Sequence, residues 1–381
     1  MKTRLYFDYA AATPLDQQVA EAIDNHRSYF SNPSARYASA REAKKILEHS
    51  RKQIAISLNC NKDEIVFTSS STESNNLAIF GISRKYQAGR IISLGTEHPS
   101  VYEPLVRLEK EGFKLDWCNV DKYGRIDLEH FKKLIKADTI LVTIQYANST
   151  TGTIQQISKI RKVIDDIKTQ GIVKPILHID ATGAFSTLHI SVDRLGVDLM
   201  TLSSSKIYGP ASGLLYVRRG VELEPMLYGG KQESGIRAGT QDLASIVGFA
   251  KAVEILDSNR ARDAEHYQKL YHYFLDRLSE KLDISIFGHP KERIYNIANI
   301  GIDNVNGEDL VAYLDAMGIE LSTGAACLAN NEKPTRILLA MGVEESLAQG
   351  SIRVSFGRST TIEDIDILVG ALQQSVNKLR V

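Results

Sequence analysis

The stretch "DLMTLSSSKIYGP", residues 198–210, opens as an apolar run and ends in three serines, a lysine and a rigid Tyr-Gly-Pro turn. A lone lysine in such a loop usually faces water. Its meaning depends on what the other apolar runs do at their ends. "EIVFT" (64–68), "RIISLG" (90–95), "FKLDWCNV" (113–120), "TILVTIQYA" (139–147), "PILHID" (175–180) and "GLLYV" (213–217) are short, rich in β-branched residues, and read as strands together with "DLMTLS". Amphipathic segments such as "DLEHFKKLIK" and "ISKIRKVIDDIKTQG" lie between several of them, the second closing on a glycine stop signal. This alternation predicts an α/β domain on a largely parallel sheet. In such sheets ligands gather beyond the carboxyl ends of the strands. His98, Asn148, Asp180 and Lys206 all fall at or just after such an end.

The alternation spans about residues 16–255, the expected large domain. A long helical pattern over 242–282 then leads to a smaller α+β domain, made of 256–381 with residues 1–15. Its expected elements are a strand at 294–302, a helix at 306–318, a strand at 351–357 and a last helix from about Thr361. No internal repeat or low-complexity segment is seen.

Bulk properties narrow the function. The chain has 381 residues, with 46 basic and 46 acidic side chains and no long block of like charge, so a nucleic-acid or membrane-binding surface is not indicated. "MKTRLYFDYAAATP" reaches Pro14 without the apolar core of a signal peptide, and no run is long enough to span a bilayer. Cys60, Cys118 and Cys327 are too few and too scattered for a disulfide framework or a zinc site. A cytoplasmic location with reduced thiols is expected. The "NST" sequon at Asn148 carries little meaning without a secretory signal. "YGGKQ" lacks the spaced first glycine of a phosphate-binding P-loop, and no GxGxxG follows the first strand.

A positioned, partly desolvated lysine can form a Schiff base with an aldehyde cofactor. A pyridoxal phosphate enzyme needs in addition a carboxylate for the pyridinium nitrogen, a phosphate cradle and a group stacked on the ring. "HIDATGAF" places Asp180 at the end of an apolar strand, where an unpaired carboxylate is costly and a pyridinium would offset that cost; helix capping would explain it equally. "FTSSSTESNNLAIFG" puts hydroxyls and N–H groups at a helix start, either an anion site or simple capping by Ser71 or Thr72. "GTEHPSV" sets His98 after a strand, one histidine among nine. "STGAAC" ends in Cys327 in a small-residue loop, where a thiol is exposed and able to react. Cys60 and Cys118 read as structural.

Together these segments resemble the cysteine desulfurases, pyridoxal-phosphate enzymes of the class V aminotransferase group. The likeness runs from "YFDYAAATP" through "SNPSARY", "FTSSSTESNNLA", "TEHPSV", "GTIQQI", "HIDA", "SSKIYGP", "GGKQESGIRAGT" and "STGAAC" to "SIRVSFGRSTT". The resemblance implies fold type I of the pyridoxal-phosphate enzymes, with a mostly parallel seven-stranded sheet. It implies Lys206 as Schiff-base lysine and proton shuttle, Asp180 against the pyridinium, and His98 stacked on the ring and active in acid–base steps. Thr72 would hold the phosphate, with Ser71, Asn148, Ser203 and Ser205 as further cofactor contacts and Thr240 reaching the phosphate of a partner subunit in a homodimer. Asn148 and Arg353 would orient L-cysteine, Arg353 by a bidentate grip on its carboxylate. Cys327 would take the sulfur as a persulfide, leaving alanine. The segment "LANNEKPTRILLAMG" looks like the longer-loop branch, which delivers sulfur to acceptor proteins such as an iron–sulfur scaffold or a tRNA-thiolation enzyme.

The chain departs from the family pattern around the cofactor. Gly183 stands where a glutamine usually meets the cofactor's phenolic oxygen, and Ser205 where a histidine contacts phosphate. Ser70 replaces a glycine, Lys231 and Ser234 alter the glycine–arginine loop, and Tyr37 replaces a histidine. The resemblance thus leaves room for a relative that acts on selenocysteine or another β-substituted amino acid, or for a catalytically impaired scaffold.

Overall fold

The computed structural model describes residues 4–167, 174–323 and 336–380. Its strands in chain order are β1 (Leu5–Tyr6), β2 (Ile65–Thr68), β3 (Arg90–Leu94), β4 (Lys114–Cys118), β5 (Thr139–Gln145), β6 (Ile176–Asp180), β7 (Leu199–Ser203), β8 (Gly213–Val217), β9 (Ser285–Phe287), β10 (Ile297–Gly301), β11 (Ile319–Glu320), β12 (Ser322–Thr323) and β13 (Ser351–Ser355). All seven strands expected in the large domain form one sheet, in the order β2-β8-β7-β6-β5-β3-β4. It is parallel from β7 through β4, while β8 runs antiparallel to both of its neighbours.

Burial explains why these strands are legible as continuous apolar runs. Every residue of β5, β7 and β8 is buried, as expected for strands covered on both faces. Successive residues serve opposite cores: Val142, Leu177 and Leu202 pack in one hydrophobic cluster, and Leu141, Leu199 and Leu215 in another. Helices close both faces. One of them, Ser71–Ser83, runs directly from β2 and buries Asn75 and Leu77 against the sheet and the neighbouring helix Pro99–Lys110.

The expected long helix spans Leu243–Ser279. It gives residues up to Leu256 to the first core, and Tyr267 to Leu278 to a separate core with Phe7, Ile300, Val354 and Leu372. There β12, β13, β10 and β9 form a four-stranded antiparallel sheet. The expected strands and helices at 294–302, 306–318, 351–357 and 361 onward are present, with Thr361 capping the last helix in a reciprocal capping box. The sequence reading omitted β9, β12, and the parallel pair β1–β11 that ties the N-terminus to this part. The glycine stop expected at Gly171 and the loop bearing Cys327 lie outside the described residues. Among the described residues, no helix is long and apolar enough to cross a membrane.

One buried ion pair locks a strained loop onto the sheet. Glu233 and Ser234 both have left-handed backbone, at φ 47° and 59°. The Glu233 carboxylate accepts two hydrogen bonds from Arg51, at 2.7 and 2.8 Å, and one from the Phe67 N–H at 2.9 Å. Removing one partner of such a pair leaves a buried charge, so Arg51→Met is expected to lower unfolding stability by about 3–5 kcal/mol in urea titrations. A loss below about 1 kcal/mol, the level of an exposed pair, would show that this bridge is not a structural anchor.

Candidate active site

The carboxyl ends of β3, β5, β6 and β7 open into a cleft of about 640 Å³ lined by His98, Asp180, Ser203, Ser205, Lys206 and Arg353 among others. Residues far apart in sequence thus meet as the strand-end rule requires.

Lys206 ends a short turn, Ser204–Lys206, that follows β7 directly. Its amine donates to the carbonyl of Ala11, and Ala11 also lines the cleft. Thr13 fixes the turn from outside: its N–H and hydroxyl both donate to the Ser205 carbonyl at 3.0 Å, and its hydroxyl accepts from the Tyr208 N–H at 2.7 Å. Tyr208 has φ 64°, a conformation uncommon for a bulky side chain, and its strain is held by these contacts. Thr13 and Ala11 carry no local signal that points to the lysine.

Asp180 ends β6 and is only 8% exposed. One carboxylate oxygen accepts the Thr182 N–H and the other accepts Asn75 Nδ2, both at 2.9 Å. Among the described residues it has no salt-bridge partner, so the cleft holds a buried negative charge that suits a cationic ring. Two strand positions earlier, His178 is fully buried between Thr143 (2.8 Å) and Thr201 (3.1 Å). Burial pushes its pKa down to about 4, against the opposing pull of Asp180.

His98 caps the helix Pro99–Lys110, its Nδ1 accepting the Ser100 N–H at 3.1 Å. Burial lowers its pKa, Asp180 counters this, and Lys206 adds to the lowering. Beside it, the fully buried Glu97 accepts the Gln145 N–H at 2.9 Å, and desolvation raises its pKa well above the usual range.

An anion cradle faces this group. Ser70, rather than Ser71 or Thr72, caps the helix Ser71–Ser83, its hydroxyl accepting the Glu73 N–H at 3.2 Å. The N–H groups of Ser71 and Thr72 have no acceptor among the described residues, and both residues line the cleft. The hydroxyls of Ser203 and Ser205 lie 2.9 Å apart on the same wall. Gly213 makes the cradle possible, since a Cβ there would come within 2.2 Å of Ser70 backbone. Buried carboxylate, lysine and open helix N-terminus fit a cationic ring that carries an aldehyde and a phosphate.

Other expected residues lie differently. Asn148 is buried beneath the cleft: its amide donates to Thr96 O and Gln145 Oε1, and its oxygen accepts from Thr150 and Thr151. Gln145, missed in the sequence reading, lines the cleft instead. Arg353 is there, but Asp8 (2.7 Å) and the Ser149 carbonyl (3.2 Å) already occupy part of its fork, and its buried Nε has no hydrogen-bond partner among the described residues. Thr240 is exposed and outside the lining. A Cβ at Gly183 would sit 3.0 Å from the Ala147 carbonyl, so the backbone closes in where the family pattern has a glutamine. Cys327 lies outside the described residues; burial pushes the thiols of Cys60 and Cys118 up to about 12, which keeps them from reacting as thiolates at neutral pH. No cluster suited to a metal occurs among the described residues.

The model of the aminotransferase class-V family matches residues 5–368, and the chain belongs to this family. It is 38% identical to cysteine desulfurase IscS 1 of Archaeoglobus fulgidus, over 98% of this chain and 97% of that one. It is 37% identical to cysteine desulfurase IscS of Dictyoglomus turgidum, over 100% and 96%. Among solved structures, a NifS-like protein aligns with a TM-score of 0.92 at 31% identity, over 99% of this chain and 100% of that one. SspA in complex with cysteine aligns with a TM-score of 0.81 at 31% identity, over 93% and 99%.

His178 makes the fold sensitive to acid. Its folded pKa lies below the value of about 6.5 in an unfolded chain, so below that pH the unfolded state binds the extra proton and stability falls towards pH 4. Glu97 has the opposite sign, its raised pKa favouring the folded state at low pH. Urea titrations at pH 7 and pH 5 should show the wild type losing about 2 kcal/mol more than His178→Gln, which retains partners for both threonines. Equal losses would mean that His178 is charged in the fold.

Proposed function

We propose that this chain is a pyridoxal-phosphate-dependent cysteine desulfurase, converting L-cysteine to L-alanine and holding the sulfur as a persulfide on Cys327 for transfer to an acceptor protein. The observation that carries this reading is the meeting of Lys206, Asp180 and His98 around one cleft with an open helix N-terminus, in a chain similar end to end to enzymes of that name.

Pyridoxal phosphate, when bound, supplies an aldehyde that captures amines and a pyridinium ring that draws electrons from the α-carbon of an amino acid. Asp180 holds a negative charge where the ring nitrogen would lie. The Ser71 and Thr72 N–H groups with the Ser203 and Ser205 hydroxyls would hold the phosphate, and Thr240 would serve the corresponding site of a partner subunit. Lys206 would provide the amine that pairs with the aldehyde and would move a proton between carbon atoms of the substrate. Arg353 binds the substrate carboxylate through its Nε and remaining donors, and Asn148 supports it from below by fixing the 148–151 turn. His98, kept neutral by burial, donates or accepts at Nε2. The Cys327 thiolate attacks the substrate sulfur; the carbon–sulfur bond breaks, and the three-carbon remainder leaves as alanine.

This reading carries a division into a large cofactor-binding part, 16–255, and a small part, 1–15 with 256–381, that bears the cysteine loop. It carries a homodimer in the cytoplasm and a sulfur acceptor in iron–sulfur assembly or tRNA thiolation.

The purified, cofactor-loaded protein should release alanine from L-cysteine in the presence of a reductant. Lys206→Ala should abolish it along with the visible absorbance of the bound cofactor, and Cys327→Ala should abolish it with that absorbance intact. Absence of alanine with cofactor bound would refute the assignment. Selenide release that survives Cys327→Ala, with no activity on cysteine, would identify a selenocysteine lyase instead.

A further inference from the structure

Asn75 does not fit a purely structural role. It lies in the helix Ser71–Ser83, is 0% exposed, and its amide nitrogen reaches two site residues at once. Nδ2 is 2.9 Å from Asp180 Oδ2 and 2.8 Å from Ser100 Oγ, while Oδ1 is buried without a partner among the described residues. Ser100 Oγ is in turn 2.8 Å from His98 Nδ1, which also receives the Ser100 N–H. A continuous chain of hydrogen bonds therefore links the buried carboxylate to the imidazole.

Its direction follows from donor and acceptor inventory. A carboxylate only accepts, so the amide must turn its NH₂ towards Asp180. The second proton of that NH₂ is donated to Ser100 Oγ. With one lone pair used in this way, the Ser100 hydroxyl proton is left for His98 Nδ1. Nδ1 is then an acceptor for both the hydroxyl and the backbone N–H, and the ring proton is confined to Nε2, the nitrogen left for the cleft.

We infer that Asn75 and Ser100 are positioning residues, which use the charge of Asp180 as a reference to lock His98 into its Nε2–H form. The assignment of His98 to substrate chemistry rests on the desulfurase reading; the tautomer does not. A reversed amide would place Oδ1 against the carboxylate and leave two acceptors in contact, so the chain has one stable polarity while Asp180 is ionised. The lowered pKa of His98 agrees with a ring kept neutral.

The test is ¹⁵N NMR of the cofactor-free protein labelled at histidine, with His98 assigned by its absence in His98→Gln. The wild type should show His98 wholly as the neutral Nε2–H tautomer at pH 7.5. Asn75→Leu and Ser100→Ala should each introduce a measurable Nδ1–H or charged population, while Ser100→Thr, which retains the hydroxyl, should keep the wild-type pattern. In the loaded enzyme, Asn75→Leu should lower kcat by about tenfold or more with KM little changed, a part of what a well-placed acid–base group contributes. Folded Asn75→Leu and Ser100→Ala proteins that both retain the wild-type tautomer would overturn the inference. Should Asn75→Leu not fold, the Ser100→Ala and Ser100→Thr pair decides alone. A wild type that binds cofactor yet makes no alanine would fell the desulfurase reading, and the tautomer result would still decide this inference.

Discussion

The site is organised around a carboxylate that is buried with no salt-bridge partner among the described residues. Asp180 ends a strand whose neighbours on both sides are parallel, so water is excluded from most of its surroundings. Two donated hydrogen bonds reduce the cost of that burial but leave the charge in place. Nearby groups respond to it. The field of Asp180 opposes the lowering of the His98 and His178 pKa values and adds to the raising of Glu97. Such a charge suits a positive ring nitrogen, which the proposed cofactor would bring against it.

The remaining polar features divide between holding that charge and facing it. The helix Ser71–Ser83 does both: its first turn leaves N–H groups open for an anion, and one turn further in Asn75 binds Asp180. One rigid element thus fixes the distance between the anion cradle and the carboxylate. Glu73 on the same first turn pairs with Arg237 at 2.8 Å, which anchors the 229–240 loop near the cradle. A shift of this helix would disturb the anion cradle, the Asp180 carboxylate and, through Ser100, the His98 imidazole together.

Much of this was legible in the sequence because parallel strands buried on both faces must be apolar throughout, and because function collects where such runs stop. Lys206, Asp180 and His98 stood out for that reason. Asn75 did not, since a polar residue in a helix reads as solvent-facing unless its partners are known. The contacts of Thr13 with Ser205 and of Arg353 with Asp8 cross 192 and 345 residues, beyond the reach of any periodicity. The two-residue strands β1 and β11 are too short to make a pattern. Asn148 shows a further limit: a position near a strand end does not decide which side chain faces the cleft, and three residues of offset from Gln145 changed the answer.

The two flanks of the segment that contains Cys327 are both held at the cleft. On one side Ser322 pairs with Arg353 across β12 and β13, so the chain leaves the small sheet beside the arginine that lines the site. On the other, Arg336 donates to the carbonyls of Gly95 and Glu97 and lies 3.7 Å over the ring of Tyr102, which stacks in turn on Trp117. The Gly95 and Glu97 carbonyls belong to the turn that presents His98. Arg336 therefore joins the chain after residue 335 to the turn that bears His98, and a guanidinium among carbonyls and an aromatic face, with no salt-bridge partner among the described residues, makes that joint by geometry more than by charge. Arg353 and Arg336 thus hold the last described residues on either side of positions 324–335 at the cleft.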